Sequence, residues 1–358
     1  MSTYRHAKVT AVDRLGAGIC EAELEFGPGE KARGIVLDEL VGTVATGDRV
    51  VANTTAVELG LGSGGYHFVL WNLSRESLSV PSEGHIMKLR YTPLQFNVEA
   101  VEERAAGEDA ARCGDALEGI PVIAGSLHSQ LLPAALAYKE ARPGSRLVYL
   151  MTDGGSLPLA FSDTVRHLKA EGYIYATMTC GHAFGGDYEA VNVYGALASC
   201  RPACGADAVV AVMGPGIVGT GSGLGFSGME QAAIINATSS LGGSPVGVAR
   251  ITFGDVRARH RGLSHHTLAV LRHGALARAL VGIPVMEPDR SETVWSQVEA
   301  SGIGARHDLR EVDARGVIGL LEGCGYRPTV MGRTLEEEPE FFMAAGAAGL
   351  LAAGIGGD

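Results

Sequence analysis

Along the first seventy residues, apolar positions alternate with polar ones in short runs at 8–12, 19–26, 32–37, 49–54 and 66–70. Gly, Pro and Asp punctuate these runs, most sharply at Gly27-Pro28-Gly29 and Thr46-Gly47-Asp48. A period of two bounded by turn residues predicts half-buried strands, and several at this spacing predict a small β-barrel or sandwich. Residues 71–118 show no clear period, and 105–114 reads as an exposed connector.

From Ile120 the rhythm changes. Continuous apolar runs at 120–124, 146–151, 173–178, 207–213 and 245–252 are each followed by helical spacing, at 129–141, 157–171, 188–200, 228–240 and 265–280. Weaker alternation continues through 283–286, 308–313 and 328–331 to a final helix at 336–352. Strand–helix alternation implies right-handed βαβ units in a mostly parallel, helix-flanked, doubly wound sheet. The expected class is therefore α/β, with a β-rich barrel-like domain over 1–95 and an α/β domain over 96–358. The 358 residues exceed what one hydrophobic core usually organises, in keeping with two domains.

In such a sheet the loops leaving the strand C-termini share one edge, where open α/β sheets place their ligands. Five loops should meet there: 125–129, 152–156, 179–187, 214–228 and 253–267. The last holds His260, His265 and His266, Arg257, Arg259 and Arg261, Asp255, Ser264 and Thr267. Guanidinium forks match phosphate and carboxylate, so Arg257, Arg259 and Arg261 are candidate ligand-binding residues, with Ser264 capping the following helix. His265 or His266 is then the acid/base candidate, assisted by Asp153 or His128 from neighbouring loops. The competing readings are a metal held by these histidines with Asp255, His128 or Asp153, and a solvated basic turn with hydrogen-bonded histidines.

The loop 214–228 contains a literal G-x-G-x-x-G at Gly214, Gly216 and Gly219, followed by Gly221, Ser222 and Gly223. Glycines let backbone amides approach an anion. The dinucleotide fingerprint itself fails, because the helix begins near Ser227 and no acid stands about twenty residues on. Gly216, Gly219, Gly221, Ser222 and Gly223 are therefore read as anion-loop candidates, against a merely tight crossover. Cys180, His182, Cys200 and Cys204 could supply a zinc set, but their spacing matches no compact zinc motif and Pro202 should interrupt a helix there; buried free thiols are the simpler reading.

Charge narrows the partner. The net charge is −11, which argues against broad nucleic-acid binding. Locally the sign reverses: residues 250–278 carry Arg250, Arg257, Arg259, Arg261, Arg272 and Arg278 against Asp255 alone, which suits a small anionic molecule. Six cysteines are too few for a disulfide scaffold. The start has no apolar signal-peptide core, and the longest apolar run, 341–356, is too short to span a bilayer. A cytoplasmic protein without a membrane partner is expected, with homo-oligomerisation through the apolar C-terminal segment a candidate on general grounds. The acidic run 336–340 reads as a helix start that complements the dipole. Nucleophile-elbow, phosphate-loop and H-E-x-x-H motifs are absent, which disfavours ordinary α/β-hydrolases, P-loop NTPases and zincins.

Residues 53–69 (NTTAVELGLGSGGYHFV) together with 259–266 (RHRGLSHH) resemble the DUF3866 family of uncharacterised bacterial proteins, over nearly the whole chain. That resemblance implies no catalytic residues. From the residues themselves the expected function is an α/β enzyme, a hydrolase or transferase, acting on a small anionic or phosphorylated ligand at the strand C-terminal edge. The alternative is a non-catalytic small-ligand-binding or regulatory protein with a barrel interaction module. The residues name no cofactor and assign no metal ligand.

Overall fold

The early alternation becomes five strands: β1 (Tyr4–Gly16), β2 (Ile19–Gly27), β3 (Glu30–Leu37), β4 (Arg49–Asn53) and β5 (His67–Asn72). In this computed structural model, which describes residues 2–104 and 116–355, they close into a barrel in the order β1-β2-β3-β5-β4. Only β3 and β5 pair in parallel, so the chain crosses the barrel once before closing it. Val9, Ala22, Leu24, Val36, Val50 and Ala52 fill the interior, the alternate residues of each strand. On the barrel surface Arg5, Lys31 and Arg33 pair with Glu30, Glu23 and Glu21. Two single-turn helices, α1 (Asp38–Val41) and α2 (Thr55–Glu58), join the strands, and the short hairpin β6 (Ile86–Lys88) and β7 (Phe96–Val98) follows.

The chain divides into two compact units, 1–99 and 100–358. The second opens with the turn α3 (Val101–Arg104); the connector expected at 105–114 lies outside the described residues. There follow β8 (Pro121–Ala124), α4 (Leu131–Ala141), β9 (Leu147–Thr152), α5 (Asp163–Ala170), β10 (Ala176–Cys180) and β11 (Tyr188–Ala190). Next come α6 (Val193–Cys204), β12 (Ala208–Met213), α7 (Glu230–Ser240), β13 (Ser244–Gly247), β14 (Ile251–Thr252), β15 (Gly262–Leu263) and α8 (His265–Ala269). The unit ends with β16 (Leu280–Pro284), α9 (Pro288–Ser301), β17 (Asp308–Val312), α10 (Gly316–Gly323) and α11 (Pro339–Ala353).

Eight strands form one sheet in the order β11-β10-β9-β12-β8-β13-β16-β17, every pair parallel. Both faces are covered, which is why the strands read as continuous apolar runs. Along β9, Leu147, Tyr149 and Met151 join the core that holds α4, α5, α10 and α11, whereas Val148 and Leu150 join the core of α6 to α9.

Several boundaries differ from expectation, each for a local reason. Residues 188–190 are an edge strand on β10, and the helix starts later because the Asn192 side chain accepts from the Tyr194 and Gly195 amides. That helix runs through Pro202 to Cys204 and ends on Gly205 in the left-handed region, so Pro202 does not interrupt it. Ser162 caps α5, which shortens the helix expected from 157. The run 245–252 leaves the sheet after Gly247 and pairs its end with β15 in a separate hairpin. The helix expected over 265–280 gives way to a π-turn at Val270–Gly274, where Asn236 bonds the Gly274 carbonyl and the Leu276 and Ala277 amides. Residues 328–331 form a single bridge, Val330 to Arg333, instead of a strand.

The apolar C-terminal segment on which the oligomer expectation rested is buried inside this unit, against α4 and β16. Its small residues let the helices approach closely. A side chain at Gly349 would run into the Ala134 carbonyl and lie 3.0 Å from the Tyr138 amide, both backbone atoms of α4. Gly349→Ala is expected to lower stability by about 1–3 kcal/mol, the usual range for overpacking. A chemical-denaturation midpoint unchanged from wild type would show that α11 can move aside.

Candidate functional site

The sheet reverses direction between two neighbours. From β8 the chain passes through α4 to β9 on one side; from β12 it passes through α7 to β13 on the other, and the two helices lie on opposite faces. Adjacent strands whose connections diverge leave a crevice beyond their C-terminal ends. Two buried glutamines tie the loops at this edge together. Gln130 Oε1 accepts from the Ser126 and Leu127 amides at 2.8 and 3.0 Å, and Gln231 Nε2 donates to the Ala124 and Val248 carbonyls at 2.8 and 2.9 Å. The loops after β8, β12 and β13 are thereby held side by side.

At the β9 side of the crevice stand two carboxyl groups. Asp153 is exposed, and its Oδ2 accepts from the His182 amide at 2.9 Å. Glu230, the first residue of α7, occupies the space that Gly154 leaves by having no side chain. Burial pushes its carboxyl up to about 7, and the Asp153 charge adds to the rise. Thr152 and the Gly154 amide approach and pull the other way, yet Glu230 Oε2 and Thr152 Oγ1 are buried without completing a hydrogen bond. Glu230 was not among the candidates from sequence. Its signal is an acid in the first helical turn directly after the glycine-rich loop.

His128 is placed differently. Its Nδ1–H donates to the Met213 carbonyl at 3.1 Å, and the Ser162 hydroxyl donates to its Nε2 at 2.7 Å. Ser162 Oγ also accepts from the Val165 amide as the cap of α5. Burial, opposed by the Met213 bond, pushes the imidazole down to about 4, so it is neutral near pH 7. Both nitrogens are engaged, and the ring ties the β8 loop to the end of β12.

The segment 253–267 is the hairpin loop of β14 and β15 followed by α8. At its base Asp255 accepts from Arg257 Nε and Nη2 at 2.9 and 2.7 Å and from the Arg257 amide at 3.0 Å. Arg250 and Arg333 stand 3.5 and 3.6 Å from the same carboxylate. Those hydrogen bonds hold Asp255 well below the usual carboxylate range, while burial pushes Arg250 down to about 10. Glu338 is fully buried and bonds Thr252 Oγ1, the Phe253 amide and Arg333 Nε. The acidic run does start a helix, with Glu340 in the first turn of α11, and it does more: buried Glu338 joins this network and Glu340 pairs with Arg290.

Above the network lie three imidazoles. His260 and His266 are buried, His265 partly so. Ring centroids are 4.7 Å apart for His260–His265, 4.9 Å for His260–His266 and 4.4 Å for His265–His266. Ser264 caps α8 through the His266 amide and shares a 2.8 Å hydrogen bond with His260 Nδ1. Burial and then Arg250 push His260 and His266 down to about 3; burial and Arg259 lower His265.

The glycine-rich loop meets this segment. Phe226 stacks on His266 with centroids 3.7 Å apart and planes 5° from parallel, and the Arg259 guanidinium lies against Gly221. Gly216 and Gly221 have positive φ, and Gly219 bridges to Phe226. Ser222 Oγ accepts from the Gly225 amide at 3.0 Å and lies 3.0 Å from Thr220 Oγ1, while Gly223 opens onto free space. The structure therefore gathers Gly221, Arg259, His265 and His266. Arg257 is already paired with Asp255, and Arg261 is exposed. Among the described residues, His128 and Asp153 form no hydrogen bond to the hairpin. Cys180, Cys200 and Cys204 are buried, and burial pushes the Cys204 thiol up to about 11; Cys113 lies outside the described residues.

Among the described residues, no helix is long and apolar enough to cross a membrane. Residues 33–349 match the family model DUF3866, described as a protein of unknown function. No curated protein and no solved structure matches the chain.

Proposed function

The chain belongs to the DUF3866 family, and we propose that its α/β unit is an enzyme, a hydrolase or transferase acting on a small anionic or phosphorylated ligand at the C-terminal edge of the sheet. The observation that carries the reading is Glu230, a half-buried carboxyl raised to about 7 that stands at Gly154 with Asp153 beside it. A carboxyl with that affinity exchanges a proton near neutral pH, which general acid–base catalysis requires. Strong perturbation by burial and a specific charged neighbour marks functional sites more often than packing sites. Arg259 and Arg261 are exposed cations without an ion pair among the described residues, and Arg259 sits against Gly221 of the glycine-rich loop. In this reading Arg259 holds the anion, with Arg261, the loop glycines and Ser222 around it. Glu230 and Asp153 move the proton. His265 and His266, both disposed to stay neutral, position the ligand by hydrogen bonds, and Ser264 and His128 hold the loops in place.

Phosphate, pyrophosphate, nucleotides and dicarboxylates, screened by thermal shift, should stabilise the protein. A ligand at a hundred times its Kd contributes about 2.7 kcal/mol. Arg259→Gln should abolish the shift. Absence of a shift with every anion, or a shift that survives Arg259→Gln, would overturn the anion site.

A further inference from the structure

We propose that His260, His265 and His266 form a binding site for one divalent transition-metal ion of the zinc class. The three come from seven consecutive positions: the hairpin loop supplies His260 and the first turn of α8 supplies the other two. One ring nitrogen from each lies within 4.8 Å of the others. A tetrahedral ion with Zn–N distances of 2.0–2.1 Å sets its ligands about 3.4 Å apart, so small side-chain rotations bring these nitrogens into range.

Packing alone gives no reason for three imidazoles in mutual contact. Buried ring nitrogens normally find hydrogen-bond partners, yet His265 Nε2 is buried with none. The neighbouring contacts are those that orient ligand rings. Ser264 Oγ holds His260 Nδ1 at 2.8 Å, and Phe226 fixes the plane of His266. His265 is partly exposed, which gives an ion a way in. An all-imidazole donor set selects zinc, copper, nickel or iron over calcium and magnesium, which demand oxygen.

Two features of the surroundings shape the occupied state. Arg250 Nη1 donates to His266 Nδ1 at 3.2 Å; binding through Nε2 needs a proton on Nδ1, so this contact must open. Arg259, an exposed cation of the same loop, adds positive charge nearby, which favours hydroxide or another anion as the fourth ligand. The inference goes beyond the anion reading, because an ion can load with no substrate present.

The test uses the full chain, stripped with a chelator and titrated with Zn²⁺ or Co²⁺. The expected result is one ion per chain by elemental analysis, the visible ligand-field bands of four-coordinate Co²⁺, and three imidazoles by X-ray absorption. His265→Ala should weaken affinity at least ~10-fold, the minimum seen even for changes in groups that only orient ligands. His273→Ala, at an exposed imidazole on the neighbouring turn, should leave it unchanged. No ion in the wild type, or equal affinity in folded His265→Ala, overturns the site. If that variant does not fold by circular dichroism, the wild-type X-ray absorption decides: three imidazoles support the site and fewer overturn it.

Discussion

Asp255→Asn is expected to destabilise the α/β unit by about 3–5 kcal/mol, because it leaves a buried guanidinium without its counter-charge. Arg250 and Asp255 have side chains only 2% exposed. Arg333 and Arg257 face the same carboxylate, so one deletion affects three cations. Asparagine keeps the shape and one acceptor oxygen but removes the charge. Glu338 compensates only partly, since its oxygens already serve Thr252, Phe253 and Arg333. The pH dependence follows from the depressed carboxyl. Its stabilisation is fully present above the ordinary value of 3.8 and is lost as pH falls toward the folded-state value. Between those limits the wild type should lose stability with acidification and the variant should lose less. Denaturant unfolding followed by circular dichroism at pH 7 and at pH 3 reads both effects. A loss under about 1 kcal/mol at pH 7, the scale of an exposed ion pair, would mean that water or Glu338 already satisfies Arg250.

This network also shows where the amino-acid sequence stops being legible. The barrel strands and the sheet strands could be placed within a few residues, because each rests on a local period with turn residues at its ends. The sheet edge could be placed too, since parallel strands put their following loops together. Charge could not be assigned in the same way. Arg250 and Arg257 looked like free cations beside a single acid, whereas Asp255 holds both and Glu338, more than eighty residues on, completes the set. Non-local pairing leaves no trace in a local pattern. The early end of the helix after His265 was hidden for the same reason: Asn236, from α7, binds the backbone that follows. The unusual property of Glu230 is equally non-local, because it comes from burial against Gly154 and the nearby Asp153, at the end of a different strand.

Glu230→Gln should stabilise the protein at pH 8 by about 3 kcal/mol while removing activity. The folded carboxyl titrates at about 7 and its ordinary value is 4.5. Each unit of difference corresponds to 1.36 kcal/mol, so holding this group ionised in the folded state costs about 3 kcal/mol. The sign runs opposite to that of Asp255. Between pH 4.5 and 7 the folded state retains a proton that the unfolded state has released, so stability falls as pH rises and levels off above 7. Glutamine cannot titrate, and the slope in that window should flatten. Retaining a group that destabilises the fold under working conditions is what a trade-off between stability and activity looks like. Unfolding free energies at pH 5 and pH 8 test the energetic half. The functional half needs a turnover assay on whichever anion shifts the melting temperature: Glu230→Gln should lower kcat by at least ~100-fold, and the wild-type pH–rate profile should bend near 7. A variant as active as wild type would reduce Glu230 to a packing residue, whatever its effect on stability.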